Sequence, residues 1–404
     1  MSETGRYANA VASDISRDLD AHYVMQTYTR LPVVFVRGEG TKLWDDTGKE
    51  YLDFLSGLAV TSLGHAHPAV AAAIAEQART LLHVSNLYYN IRQPELAECI
   101  DALLGGGGRS FFCNSGAEAN ECAIKLARRH GQRNGGPDRY HVISAYASFH
   151  GRTLTTLAAT GQPQKQEVFQ PLPSGFRQVS FDDLGALEAA MDDRVAAVML
   201  EAVQGEGGVN PASAEYLHGV RRLCDEREAL LIMDEVQTGL GRTGKWFGFE
   251  HSGVKPDIVT MAKALGNGMP IGACWAKADV AAAFAPGDHA TTFGGQPLAA
   301  SAALAVLEVM ERENVPARAE RAGARLSAAL GKVDGVADVR GAGLLIAAEL
   351  AAPHESKAVA DRCLALGLVV NNVTPTSLRF APSLLVSDDE IDAAVAILAE
   401  ALSS

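Results

Sequence analysis

Nowhere in the 404-residue sequence do two cysteines form a CxxC pair. None of its six cysteines (Cys99, Cys113, Cys122, Cys224, Cys274, Cys363) and eleven histidines shows metal-ligand spacing. That excludes the common zinc frameworks and a disulfide scaffold, and it points to reduced, mostly buried thiols in a cytoplasmic protein with no metal. No run of about 18 uncharged apolar residues occurs, so no membrane span is expected. The N-terminus carries Glu3, Asp14, Asp18 and Asp20 and lacks an apolar core region, which excludes a signal peptide and a typical transit peptide. No basic run stands out among 35 basic and 48 acidic residues, and the net charge is −13. Nucleic acid and anionic membrane surfaces are therefore not expected partners. A small anionic substrate would have to meet local arginines. There is no internal repeat, and low complexity is limited to Ala-rich helices.

What is present is a globular composition, 48% hydrophobic and 21% charged with 39 glycines, enough for a large core and two or three domain-sized units. Residues 1 to about 30 read as polar helix. A hairpin is expected around Gly38-Glu39-Gly40 and a further strand over 49–54. Pro68 opens an Ala-rich helix to Leu82; His65 and His67 before it suit a loop entering a helix better than a metal. From 110 the chain alternates. Strands are expected at 110–113, 141–145, 196–201, 229–234, 257–261 and 272–276, and helices at 117–133, 183–192 and 213–227. This alternation predicts an α/β fold, a mostly parallel sheet with helices on both faces. A long helix over 296–313 changes the pattern, and a smaller α+β domain is expected from about residue 297.

The chemistry-bearing residues gather at the ends of the expected strands. Leu230-Leu231-Ile232-Met233-Asp234-Glu235-Val236-Gln237 ends an apolar strand in acidic and amide groups, and Asp257-Ile258-Val259-Thr260-Met261-Ala262-Lys263 ends one in a lysine. The carboxyl edge of an open α/β sheet is where ligands bind. A carboxylate and an amine at neighbouring strand ends suit a pyridine cofactor. The lysine holds it as a Schiff base and the Asp pairs with its ring nitrogen. Asn114-Ser115-Gly116-Ala117-Glu118 joins a strand to a helix, and its small residues let backbone N–H groups approach a phosphate. In Phe149-His150-Gly151-Arg152-Thr153 an aromatic ring can stack on a heterocycle and Arg152 can take a carboxylate through two hydrogen bonds; His150 reads as packing. In the Gly-rich loop after Glu201, Glu206 could cover Arg379. Such a carboxylate, releasing the arginine for one substrate only, would let one site accept two. Thr291-Thr292 before Gly294-Gly295 can serve a phosphate or cap a helix. Each motif alone also has an ordinary reading as turn, cap or surface charge. Together they supply one cofactor's needs.

These stretches, with Asp234-Glu235-Val236-Gln237-Thr238-Gly239-Leu240-Gly241-Arg242-Thr243-Gly244 and Lys263-Ala264-Leu265-Gly266, resemble the class III aminotransferases over nearly the whole chain. The resemblance implies a fold type I pyridoxal 5'-phosphate-dependent transferase: an N-terminal segment (1–60) packing with the small domain, a large domain (61–296) on a mostly parallel seven-stranded sheet, and a small C-terminal domain (297–404). It implies that Lys263 carries the cofactor and moves the proton, Asp234 pairs with the pyridine nitrogen, Gln237 contacts the ring hydroxyl and Phe149 stacks on the ring. Ser115, Gly116 and Ala117 would hold the phosphate, joined by Thr292 from the partner subunit of a homodimer. Arg152 would take the donor's α-carboxylate and Arg379, covered by Glu206, the 2-oxoglutarate; Tyr28 would border the substrate. Within the class, Leu58-Ala59-Val60 and His83 to Asn90 most resemble the branch acting on N2-acetylornithine, an apolar Leu58 suiting an acylated α-amine. Donors such as succinylornithine, succinyldiaminopimelate, ornithine or 4-aminobutyrate stay open, as does a cofactor-binding protein without turnover. Ala202, Asn267 and Gln296 stand where the family usually has Pro, Gly and Asn.

Overall fold

The computed structural model describes residues 12–403. A helix over Ala12–Tyr23 ends earlier than the sequence suggests; at its end the Gln26 side-chain amide donates to the carbonyls of Asp20 and Val24. The reading of residues 1–11 lies outside the described residues. Strands β1 (Phe35–Glu39), β2 (Lys42–Asp45) and β3 (Glu50–Asp53) then form an antiparallel meander.

The middle of the chain supplies β4 (Gly108–Cys113), β5 (His141–Ala145), β6 (Phe176–Val179), β7 (Val195–Leu200), a short ribbon of β8 (Val203–Gln204) and β9 (Asn210–Pro211), then β10 (Leu230–Asp234), β11 (Ile258–Met261) and β12 (Gly272–Lys277). Seven of these make one sheet in the order β4-β12-β11-β10-β7-β5-β6. Only β12 runs against its neighbours, as expected of a mostly parallel sheet. Every residue of β7 and β10 is buried. Both read as unbroken apolar runs because helices cover both sheet faces, so no residue alternates toward water. The sequence reading misses β6, whose Arg177 and Gln178 break the apolar signal. It is an edge strand, pinned by Arg177 donating to Ala190 O and to Asp192.

After helices Pro297–Arg312 and Val315–Leu330, β13 (Val336–Ala342), β14 (Leu345–Leu350), β15 (Leu368–Val369), β16 (Asn371–Asn372) and β17 (Ser377–Phe380) follow. An antiparallel sheet has the order β13-β14-β17-β16, and β15 joins the N-terminal meander beside β3. Arg242 ties these parts together. Fully buried, it donates to Leu344 O (3.0 Å), Pro382 O (2.6 Å) and Ser62 Oγ (3.2 Å). Burial, with Arg379 nearby, lowers its pKa to about 9. Among the described residues no helix is long and apolar enough to cross a membrane, and no group of three or more His, Cys, Asp or Glu could hold a metal.

Candidate active site

The parallel strands bring their carboxyl ends to one edge, and there a cavity of about 460 Å³ opens. Its wall includes Ser115, Gly116, Ala117, Phe149, Arg152, Glu206, Asp234, Gln237 and Lys263. The turn after β4 leads into the 20-residue helix Gly116–Gly135. Ser115 caps it, its Oγ accepting from Glu118 N at 3.2 Å. The first N–H groups of a helix have no acceptor within it, so those of Gly116 and Ala117 are left for an anion. The approach is tight: a Cβ on Gly116 would stand 2.7 Å from Val236 Cγ1.

Asp234, last residue of β10, is buried and multiply held. Its Oδ2 accepts from Asn120 Nδ2 (2.8 Å) and lies 2.7 Å from His150 Nδ1, while Oδ1 accepts from Val236 N (3.1 Å). Burial alone would lower the His150 pKa, but the hydrogen bond and charge of Asp234 outweigh it and raise it above the ordinary value. His150, expected from the sequence to be packing, is instead the hydrogen-bonded partner of the site's carboxylate. Beside the pair, burial lifts Glu201 to about 8, and its Oε2 accepts from Phe149 N at 3.1 Å.

Lys263 follows β11 with φ +44°, a left-handed backbone that costs a non-glycine residue on the order of 1 kcal/mol. Burial, with Arg379 opposing Glu206, lowers its amine to about 8. Roughly a tenth of it is therefore the uncharged nucleophile at pH 7, against well under about 1% for an ordinary lysine.

Arg379 comes from β17 and is 1% exposed. It donates to Glu206 Oε1 at 2.6 Å, Gln237 Oε1 at 3.1 Å and Gly205 O at 3.3 Å. Glu206 lines the cavity in front of it, as the expected covering pair requires. Burial would raise the Glu206 carboxyl, but Arg379 and Lys263 hold it at about 2. The β8–β9 ribbon presents Glu206, and a Cβ on Gly205 would meet Gln237 Oε1 at 1.9 Å, so this loop closes directly on the amide.

The described chain matches the model of the class III aminotransferase family over residues 23–402. It belongs to the class III aminotransferases. An acetylornithine aminotransferase of Caldanaerobacter subterraneus subsp. tengcongensis is 50% identical over 385 residues, 94% of this chain and 97% of that one. Among solved structures, the ornithine aminotransferase of Toxoplasma gondii ME49 superposes with a TM-score of 0.92 at 36% identity, covering 97% of this chain and 95% of that one. N-acetylornithine aminotransferase from Stenotrophomonas maltophilia K279a gives 0.83 at 38%, covering 96% and 98%.

Class III aminotransferases use pyridoxal phosphate. The aminotransferase's cavity fits it: a helix N-terminus for the phosphate, a buried carboxylate for the ring nitrogen, an amine of lowered pKa, and Phe149 on the wall. Three expected residues stand away from this cavity. Tyr28 is 74% exposed with Arg30 over its ring, Leu58 is exposed at φ +69° while Val60 lines the wall, and Thr292 borders a second hollow with Asn86, Phe111 and His289. Asn120 and Glu201 carry no sequence signal of their own, because their roles arise from pairings across strands and helices. Of the departures, Asn267 sits at φ +47°, where glycine is usual, and uses its amide to accept from Leu63 N (2.8 Å) and donate to Gly64 O (3.0 Å). Gln296 caps Pro297–Arg312 by accepting from Leu298 N at 3.3 Å, and Ala202 is buried.

Proposed function

We propose that this aminotransferase transfers the δ-amino group of N2-acetylornithine to 2-oxoglutarate, giving N-acetylglutamate 5-semialdehyde and glutamate, a step of arginine biosynthesis. The observation carrying this reading is the pair of unequal arginines around Lys263. Arg379 is closed under Glu206 at 2.6 Å, while Arg152 is exposed on the cavity wall. A donor whose carboxylate goes to Arg152 leaves the Arg379 pair shut. A dicarboxylate acceptor opens it. Relatives near 50% identity that bear the name acetylornithine aminotransferase support the choice of donor.

Pyridoxal phosphate, when bound, delocalises the electrons left on the donor carbon after its proton departs. Lys263 would hold the cofactor through its amine and, once freed, would carry a proton to and from the donor carbon. Asp234 would keep a positive charge on the ring nitrogen, its carboxylate held in place by Asn120 and His150. Gln237 would meet the ring hydroxyl, Phe149 would pack on the ring, and Ser115, Gly116 and Ala117 would hold the phosphate. Glu206 withdraws from Arg379 when the acceptor enters. Tyr28 borders the substrate.

The working unit is a homodimer in which Thr292 of one subunit completes the phosphate site of the other. Its distance from the cavity within one chain supports that. The buried, unpaired thiols suit the cytoplasm. The chain divides into an N-terminal segment (1–60), a large domain (61–296) and a small domain (297–404), with β15 beside β3 supporting the packing of the first on the last.

The test is a half-reaction on cofactor-loaded protein, following the visible cofactor band with each donor alone. Fast bleaching by N-acetylornithine and slow bleaching by ornithine and 4-aminobutyrate is expected. Faster bleaching by ornithine or 4-aminobutyrate moves the enzyme to another substrate branch. No bleaching by any donor supports a cofactor-binding protein without turnover.

A further inference from the structure

Arg152 is not the only cation at Phe149. Its Cζ lies 5.7 Å from the centre of the Phe149 ring, and Lys165 Nζ lies 5.2 Å from the same centre. Among the described residues neither side chain pairs with a carboxylate, although the protein is rich in acid. Two cations sharing one ring repel each other, and the cost is relieved when an anion sits between them. Burial and the charge of Arg152 lower the Lys165 pKa, and the charge of Glu206 offsets them only in part.

The perch of Lys165 is also built. It lies in the one-turn helix Pro163–Gln166, where Gln166 Nε2 donates to Thr160 O (2.7 Å) and Leu157 O (3.0 Å). Gln162 Nε2 donates to Ser148 O at 3.0 Å, tying this segment to the backbone beside Phe149. Phe149 is anchored in turn by Glu201. Ring and arginine line the cavity, and the lysine is held against the same ring.

We propose that Lys165 and Arg152 together seat the donor's α-carboxylate over the edge of Phe149, making Lys165 a specificity-determining residue. This rests on the donor reading given above. Arg152 supplies the planar two-point grip and Lys165 a point charge from the second side.

The test uses the half-reaction, so no acceptor enters. Two donors are compared: N-acetylornithine and N-acetylputrescine, which differ only in the carboxylate. Lys165→Met is expected to raise the half-saturating N-acetylornithine concentration about 5- to 10-fold with the limiting rate changed less than about twofold. N-acetylputrescine kinetics should stay unchanged, and Lys165→Arg should restore the N-acetylornithine value. An unchanged N-acetylornithine value, or equal weakening of both donors, overturns the proposal. Arg152→Met separates the two levels. If it erases the preference for the carboxylate-bearing donor while Lys165→Met does not, the donor reading stands and the role of Lys165 falls. If the wild-type enzyme shows no such preference, both fall.

Discussion

Asp234 shows what a single residue needs before it can serve chemistry. Its carboxylate is buried, and buried charges persist only when hydrogen-bonded. Asn120, His150 and the Val236 N–H meet that need. Asp234→Ala is expected to leave the circular dichroism spectrum unchanged and to lower kcat/KM by about 10³-fold or more, the scale of a lost electrostatic partner. A loss under tenfold contradicts its role. Lys263 gives a pH signature. Its amine is lowered to about 8, so the uncharged form fills in as pH rises through that value. The rate of pyridoxal phosphate uptake by cofactor-free protein should climb with pH and level off near 8 to 9; a climb continuing past 10 would place the amine in ordinary solvent.

Glu201 gives a stability signature of its own. Its folded pKa, about 8, stands above the ordinary 4.5, so the neutral form favours folding. That contribution is complete at low pH and is lost as pH rises from about 4.5 to 8. In cofactor-free protein, Glu201→Gln should match the wild-type Tm at pH 4.5 and exceed it by a few degrees at pH 8.5. A constant difference across that range contradicts the buried neutral acid. Asp234, Gln237 and Lys263 were legible in the sequence because a motif carries them. Asn120 and His150 were not, because they reach Asp234 across 114 and 84 residues, through pairings that exist only once the sheet has formed.

At the scale of elements, the legible parts are those whose surroundings are uniform. β7 and β10 are buried on both faces, so an apolar run announces them. β6, at the edge, and the two-residue β8 and β9 lack that signature, although the ribbon positions Glu206. The loop after Lys263 depends on Asn267, whose amide bonds tie it to residues 63–64. Asn267→Gly keeps the left-handed backbone but loses both bonds, an expected cost of about 1–2 kcal/mol. Asn267→Ala adds backbone strain of about 1 kcal/mol. Thermal unfolding should rank wild type above Gly above Ala; a Gly variant as stable as wild type would show that the side-chain ties carry no stability.

At the scale of the molecule, one chain gathers most of the site but leaves Thr292 and Tyr28 outside it. Near Thr292, Leu87, Tyr88, Tyr89, Ile91 and Phe293 are exposed, a concentration of apolar groups that in our reading the second subunit covers. Sedimentation velocity should therefore find a dimer, and Thr292→Ala should weaken cofactor retention roughly tenfold without dissociating it. A stable monomer with full activity contradicts the shared site. In our reading Thr292 serves the second subunit: unlike Ser115 it borders a hollow separate from the cavity of its own chain.

In our reading all these parts converge on one lysine, Lys263. The direct measurement is borohydride reduction of the cofactor-loaded enzyme, followed by proteolysis and mass mapping of the modified peptide. A single pyridoxyl group is expected on Lys263 and none in Lys263→Ala. A group on any other lysine, or undiminished labelling of Lys263→Ala, contradicts it.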